Sequence, residues 1–192
     1  NNATDTVNKK LSLKIGRRQK FVVGILLIFF SVALLLSFIS YFITGNADQS
    51  AVSQIANRSL STENWLGKIG AYLADFFLYQ GFGVTSFLLV RVLFLIGAYM
   101  VLDMSLSKLK KNFFWDGFLI IIGSILFGFL WDYMPQLGGV IGYEMNLFIQ
   151  DYIGKTGTLL VLLFGILIFL VFKLNVSPDT FTSVFEKSTQ SF

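Results

Sequence analysis

Gly154-Lys155-Thr156 and Gly81-Phe82-Gly83-Val84-Thr85-Ser86 are the two stretches whose residue types could cradle a phosphate. A phosphate-binding loop needs a glycine five positions before Gly154, where Ile149 stands, and a buried strand ahead of it. The second stretch has two glycines of a dinucleotide fingerprint and a serine in place of the third, again without strand context, so it reads as a re-entrant turn. The chain contains no cysteine and no histidine. Disulfides, thiolate or imidazole metal sites, Ser-His and Cys-His nucleophile pairs and histidine proton shuttles are thereby excluded. No catalytic, cofactor-binding or metal-binding residue is assigned.

Arg91 is the charge that stands out, because it lies eight residues into an apolar run, about 10 Å deep at 1.5 Å per residue. It marks either an ion or substrate site or a packing pair with a carboxylate such as Asp75 or Asp132, or with a lipid headgroup. No second polar group accompanies it at that depth, which favours the packing pair. A proton-driven transporter would need an intramembrane carboxylate; spans one, two and four contain none, and Asp116 sits at the inner edge of span three.

The elements that position these residues are dictated by composition. With 192 residues, 55% of them hydrophobic and only 14% charged, and a mean hydropathy of +0.71, this is a membrane chain and not a soluble domain. Residues 21–43 form an uncharged run of about 35 Å, longer than the roughly 30 Å hydrocarbon slab. It continues past Tyr41 and Phe42 without a small-x-small exit, so it is an anchor and not a cleaved leader. Further spans are expected at 84–102, 113–131 and 156–172, the last fenced by Lys155 and Lys173. Eleven of the fifteen basic residues fall before span one, between spans two and three, or after span four. The positive-inside rule then puts both termini in the cytoplasm and the segments 44–83 and 132–155 outside. The expected organisation is a basic cytoplasmic tail (1–20), a four-helix transmembrane domain (21–174) and a serine- and threonine-rich linker (175–192). The absence of an initiator methionine is read as a portion of a longer chain.

The two outer segments are alike. Leu66-Gly67-Lys68-Ile69-Gly70 superposes on Gly138-Gly139-Val140-Ile141-Gly142 at a shift of 72 residues, and Gly83 meets Gly157 at a shift of 74. Each unit is a glycine turn, an amphipathic stretch, a second glycine and an inward-going span. Trp65, Leu66, Ile69, Leu73, Phe76 and Phe77 in the first, and Ile141, Met145, Phe148, Ile149 and Tyr152 in the second, recur at helical spacing. Such stripes either lie at the headgroup level or pack on the outer ends of the spans. The fold class is thus all-α membrane protein, with four transmembrane helices and two amphipathic interfacial helices on the outer side. Small residues spaced by four, Ala33 and Ser37, Ser124 and Gly128, Gly138 and Gly142, permit close helix approach.

The stretch Asn64-Trp65-Leu66-Gly67, then Ile69-Gly70-Ala71-Tyr72-Leu73-Ala74-Asp75, Phe82-Gly83 and Ser86-Phe87, returns as Gly138-Gly139, Gly142, Gly154 and Gly157-Thr158 before the last span. Over residues 9–174 this resembles the membrane domain of the FtsK/SpoIIIE DNA translocases. The resemblance singles out Asn64, Gly67, Gly70, Ala74, Asp75, Gly83, Gly139, Gly142 and Gly157 as structural motif residues, and leaves Arg91 unmatched. It implies a multi-pass protein of the bacterial inner membrane at the division septum, assembled as a hexamer and touching division proteins. It also implies a motor beyond residue 192 that uses ATP and magnesium to move double-stranded DNA. The competing reading is a small channel or transporter, or an auxiliary subunit of a larger membrane complex.

Overall fold

A computed structural model describes residues 16–57 and 59–174, with the side chains of residues 46 and 49–51 left aside. The expected linker 175–192, and the tail up to residue 15, lie outside the described residues. Helices account for the ordered structure, and four of them are long and apolar enough to cross a membrane: Arg17–Gly45, Gly83–Val101, Leu106–Gly128 and Pro135–Leu174. Mean hydropathy falls to 1.3 in the third, which carries Lys108, Lys110, Lys111 and Asp116.

The first helix, α1 (Arg17–Ser53), begins inside the basic stretch, so Arg17 to Lys20 are helical. At 37 residues it is about 55 Å long and overshoots a bilayer. The expected boundary at residue 43 marks only where the apolar run stops, because nothing after it breaks a helix until Gln54. The chain then folds back along the protruding end of α1 to α2 (Gly67–Ala74), which runs on into a wide π turn, Asp75–Gly81, in which the Phe82 N–H reaches the Phe77 carbonyl at 3.0 Å. A short 3-10 turn, Gly83–Ser86, leads into α3 (Phe87–Val101). After a second 3-10 turn, Leu106–Leu109, come α4 (Lys110–Gly128) and α5 (Pro135–Leu174).

The helix α5 is interrupted at Gly139 (φ 66°, ψ 169°) and Gly154 (φ 70°, ψ 169°). That region of backbone space is accessible essentially to glycine alone. The interruptions divide it into a short helix over 140–153 and a membrane-length helix over 155–174.

The molecule is two similar units. In the first, α1 packs on α2 and α3; in the second, α4 packs along α5. The positive-φ glycines mark the correspondence: Gly67 and Gly139 lie 72 residues apart, Gly83 and Gly154 lie 71. The one-residue difference falls where the first unit has its π turn and the second has none, since an i→i+5 turn accommodates one extra residue. The expected pairing of Gly83 with Gly157 is corrected by this. Gly157 is an ordinary helical residue, and Gly154 is the glycine that breaks the chain.

The core of the first unit joins Leu34 and Phe38 of α1, Ala74 and Leu78, and Val90 of α3, with Tyr41, Leu73, Phe77, Phe87 and Leu93 packed round it. The short helices turn their small residues inward. Gly70, Ala71 and Ala74 are buried in one, and Gly142 and Asn146 in the other, with Gly139 buried just before it. Much of each aromatic stripe faces out: Trp65, Ile69 and Phe76 in the first, Met145, Phe148 and Tyr152 in the second. Leu73 and Phe77 join the core instead. Only part of the first stripe therefore helps to hold its segment to the spans.

Candidate functional site: a motif docked on a polar stripe, a glycine junction and an ion pair within the spans

Ser37, Ser40, Thr44 and Asp48 follow one another at three- and four-residue steps and form a buried polar stripe on α1. In a helix that is otherwise apolar, such a stripe must find partners. The returning chain supplies them. The Asp48 carboxylate accepts the Glu63 N–H at 2.6 Å and the Thr44 hydroxyl at 3.0 Å, and Ser40 Oγ accepts the Trp65 N–H at 3.1 Å. Asn64, itself buried, donates through Nδ2 to the Ser37 carbonyl at 3.1 Å, while its Oδ1 accepts the Leu66 N–H at 3.1 Å. Ser37 Oγ then donates to the Gly70 carbonyl at 2.6 Å.

These bonds explain the first glycines of the motif. Gly67 turns the chain into α2 with φ 63°, and a Cβ on Gly70 would lie 2.5 Å from Asn64 Oδ1 and 2.6 Å from Leu66 Cβ. Ala74 is fully buried in the core. Asp75 lies half-buried at the start of the π turn, within 3.4 Å of the Tyr41 hydroxyl, and accepts from Gln80 Nε2 at 2.7 Å.

The second unit repeats the device with fewer polar groups. Ser124 Oγ donates to the Gly138 carbonyl at 2.6 Å, and Asn146 Nδ2 to the Ile125 carbonyl at 2.9 Å. A Cβ on Gly142 would fall 2.3 Å from Ser124 O, so α4 and α5 touch backbone to backbone there.

The two units meet at the remaining glycines. A Cβ on Gly83 would lie 2.1 Å from the Leu137 carbonyl oxygen, and one on Gly139 2.2 Å from that of Gly81. The contact is reciprocal, the second glycine of one unit against the first glycine of the other. Thr85 sits across it, its Oγ1 2.7 Å from the Phe82 carbonyl of its own unit and 3.1 Å from the Ile120 carbonyl of α4. Trp131 closes the junction, its ring 5.9 Å from Tyr79 of the first unit and stacked 4.5 Å from Tyr143 of the second. Gly157 takes no part, since a Cβ there would meet only Ile153 of its own helix.

Beyond the junction α3 and α4 share little surface. What ties them is an ion pair between Arg91 Nη1 and Asp116 Oδ1. Asp116 is buried, whereas about half of the Arg91 side chain remains exposed. The expected partners Asp75 and Asp132 are corrected: Asp75 is engaged by Tyr41 and Gln80, and Asp132 lies exposed in the turn after α4. Asp116 also corrects the expectation that no second polar group accompanies Arg91. It sits six residues into α4, about 9 Å along its axis from Lys110. Asp116 Oδ2 is buried without a hydrogen-bond partner among the described residues.

The contacts also bring one set of helix ends together. Arg17 and Lys20 approach Asp103, after α3, at 3.5 and 3.6 Å, and Lys173 near the end of α5 donates to Asn112 in the first turn of α4. The start of α1, the link between α3 and α4, and the end of α5 therefore share one face, which gathers Arg17, Arg18, Lys20, Lys108, Lys110, Lys111 and Lys173.

None of these groups forms a nucleophile and base pair. The arrangement fixes how two pairs of spans sit against each other. Comparison with known protein families matches residues 16–188 to the 4TM region of DNA translocase FtsK/SpoIIIE. No curated protein and no solved structure gave a match. With the matched region covering nearly the whole chain, and with four apolar helices laid out as two glycine-marked units, the protein belongs to the FtsK/SpoIIIE family, of which this is the four-span membrane region.

Proposed function

We propose that this domain is the membrane anchor and assembly platform of a septal DNA translocase. It holds an ATP-driven, DNA-moving motor, expected beyond residue 192, at the closing division site of a bacterial inner membrane. The observation that carries the proposal is the family match over residues 16–188, together with the rigid docking of the Asn64–Gly67 motif on α1. Both termini face the cytoplasm in this reading, consistent with the seven basic residues gathered on the face that holds the start of α1 and the end of α5.

The opposite face carries the docked segment 63–66, the two short helices and their outward aromatic residues, and it supplies the surface for division proteins and for the headgroup layer. Protomers assemble through the lipid-facing sides of the spans, and the motor, with ATP and magnesium, hexamerises on double-stranded DNA. The tie between Arg91 and Asp116 supports a packing role for that arginine over an ion-conducting one.

Deleting residues 1–174 from the full-length protein in dividing cells is expected to disperse the motor from the septum. Unchanged septal localisation of the truncated protein would overturn the proposal.

A further inference from the structure

Near one membrane face α1 and α3 cross with their backbones in contact. A Cβ on Gly24 would lie 2.8 Å from the Gly97 carbonyl oxygen, and one on Gly97 2.7 Å from that of Gly24. Glycine at both positions sets this close approach. Val101 still belongs to this crossing, its backbone N 2.9 Å from a Cβ on Gly24. Beside it, toward the start of α1, Phe21, Val22 and Met100 line an open groove of about 530 Å³, within the size range of ligand sites, with Arg17, Arg18 and Asp103 as its charged lining.

The rim is charged asymmetrically. Asp103 holds φ 51°, a left-handed conformation that stops α3 and turns the carboxylate toward α1, where it lies 3.5 Å from Arg17 and 3.6 Å from Lys20. One carboxylate thus pairs with two cations, and Arg18 beside them has no ion-pair partner among the described residues. The Arg17 side chain remains 86% exposed despite its pairing. Phe21 begins one helical turn deeper than Arg17, about 6 Å further into the bilayer. A phosphate-sized anion at the arginines is therefore stacked directly above a slot for hydrocarbon.

We propose that this groove binds one anionic phospholipid, with the phosphate held by the Arg17 and Arg18 guanidiniums and an acyl chain laid between α1 and α3. Guanidinium groups match phosphate oxygens in geometry as well as charge. The net positive rim selects an anionic headgroup over a zwitterionic one, whose own cation would meet Arg17 and Arg18. The lipid would fill the groove beside the Gly24 and Gly97 crossing and splint the first unit at that end.

Native mass spectrometry of the full-length protein, released from nanodiscs containing equal phosphatidylglycerol and phosphatidylcholine, tests this. The parent protein is expected to retain one phosphatidylglycerol. Each of Arg17→Gln and Arg18→Gln is expected to cut the retained phosphatidylglycerol to phosphatidylcholine ratio about fivefold. Val22→Trp, at a largely exposed position that overhangs the groove, is expected to expel the lipid with the charges intact; Met100→Trp fills the slot from α3 if Val22→Trp misfolds. Equal retention of the two lipids by the parent overturns the proposal. So does phosphatidylglycerol retention that falls in the arginine variants but survives both tryptophans, because that pattern means diffuse surface charge and no groove site.

Discussion

Asp116 and Arg91 show what a charge within the spans costs and how the fold meets that cost. A charged side chain near the centre of a span is unfavourable by about 3 kcal/mol on insertion scales, so neither residue persists without a reason. Here each is the other's reason. Because Asp116 is buried and Arg91 is not, removing the arginine alone differs from removing both side chains. Arg91→Leu is expected to destabilise the domain by about 3 kcal/mol, since it strands a buried carboxylate that already has one unpartnered oxygen. Arg91→Leu with Asp116→Leu is expected to recover most of that loss. Thermal unfolding in detergent, read as a double-mutant cycle, checks this. Additive losses would mean the two side chains are not coupled. Arg91 was conspicuous in the sequence, but its partner was not. Asp116 lies five residues after Lys111, the last of three clustered lysines, where hydropathy alone cannot tell an interfacial carboxylate from one drawn into the bundle.

Among the elements, the short helices are defined by glycines more than by their apolar stripes. The repeat at a shift of 72 residues was legible because Gly67 and Gly139 are backbone requirements. The second pair was misaligned because a π turn adds a residue that no composition rule reveals, and because Gly154 and Gly157 look alike until their dihedrals are known. The polar stripe Ser37, Ser40, Thr44 and Asp48 keeps three- and four-residue spacing, but it straddles the end of the apolar run, and its hydroxyls barely lower the hydropathy there. It carries the docking of Asn64 and its neighbours. Gly139 and Gly154 share dihedrals and differ in surroundings, which separates backbone strain from packing. Gly154→Ala is expected to cost about 2 kcal/mol, the backbone penalty alone, because nothing lies within 4 Å of its added Cβ. Gly139→Ala adds a clash with the Gly81 carbonyl oxygen at 2.2 Å and is expected to cost about twice as much. Equal loss of thermal stability in the two variants would contradict the reciprocal glycine junction.

At the scale of the whole molecule, four helices long and apolar enough to cross a membrane are joined as two units that touch at glycines on one side and through one ion pair deeper in. The number of spans and the all-helical class follow from composition and from the length of the apolar runs. The way the units meet does not, because it rests on backbone approach distances of individual glycines. A platform of this kind is what the proposed anchoring role requires. The proposed function requires these residues to address the protein to the division site. Fluorescence imaging of residues 1–192 fused to a fluorescent protein, in dividing cells that also carry the untagged full-length protein, measures this directly. Enrichment of the fusion at the septum over the lateral membrane is expected; uniform labelling of the cell envelope would overturn the anchoring role.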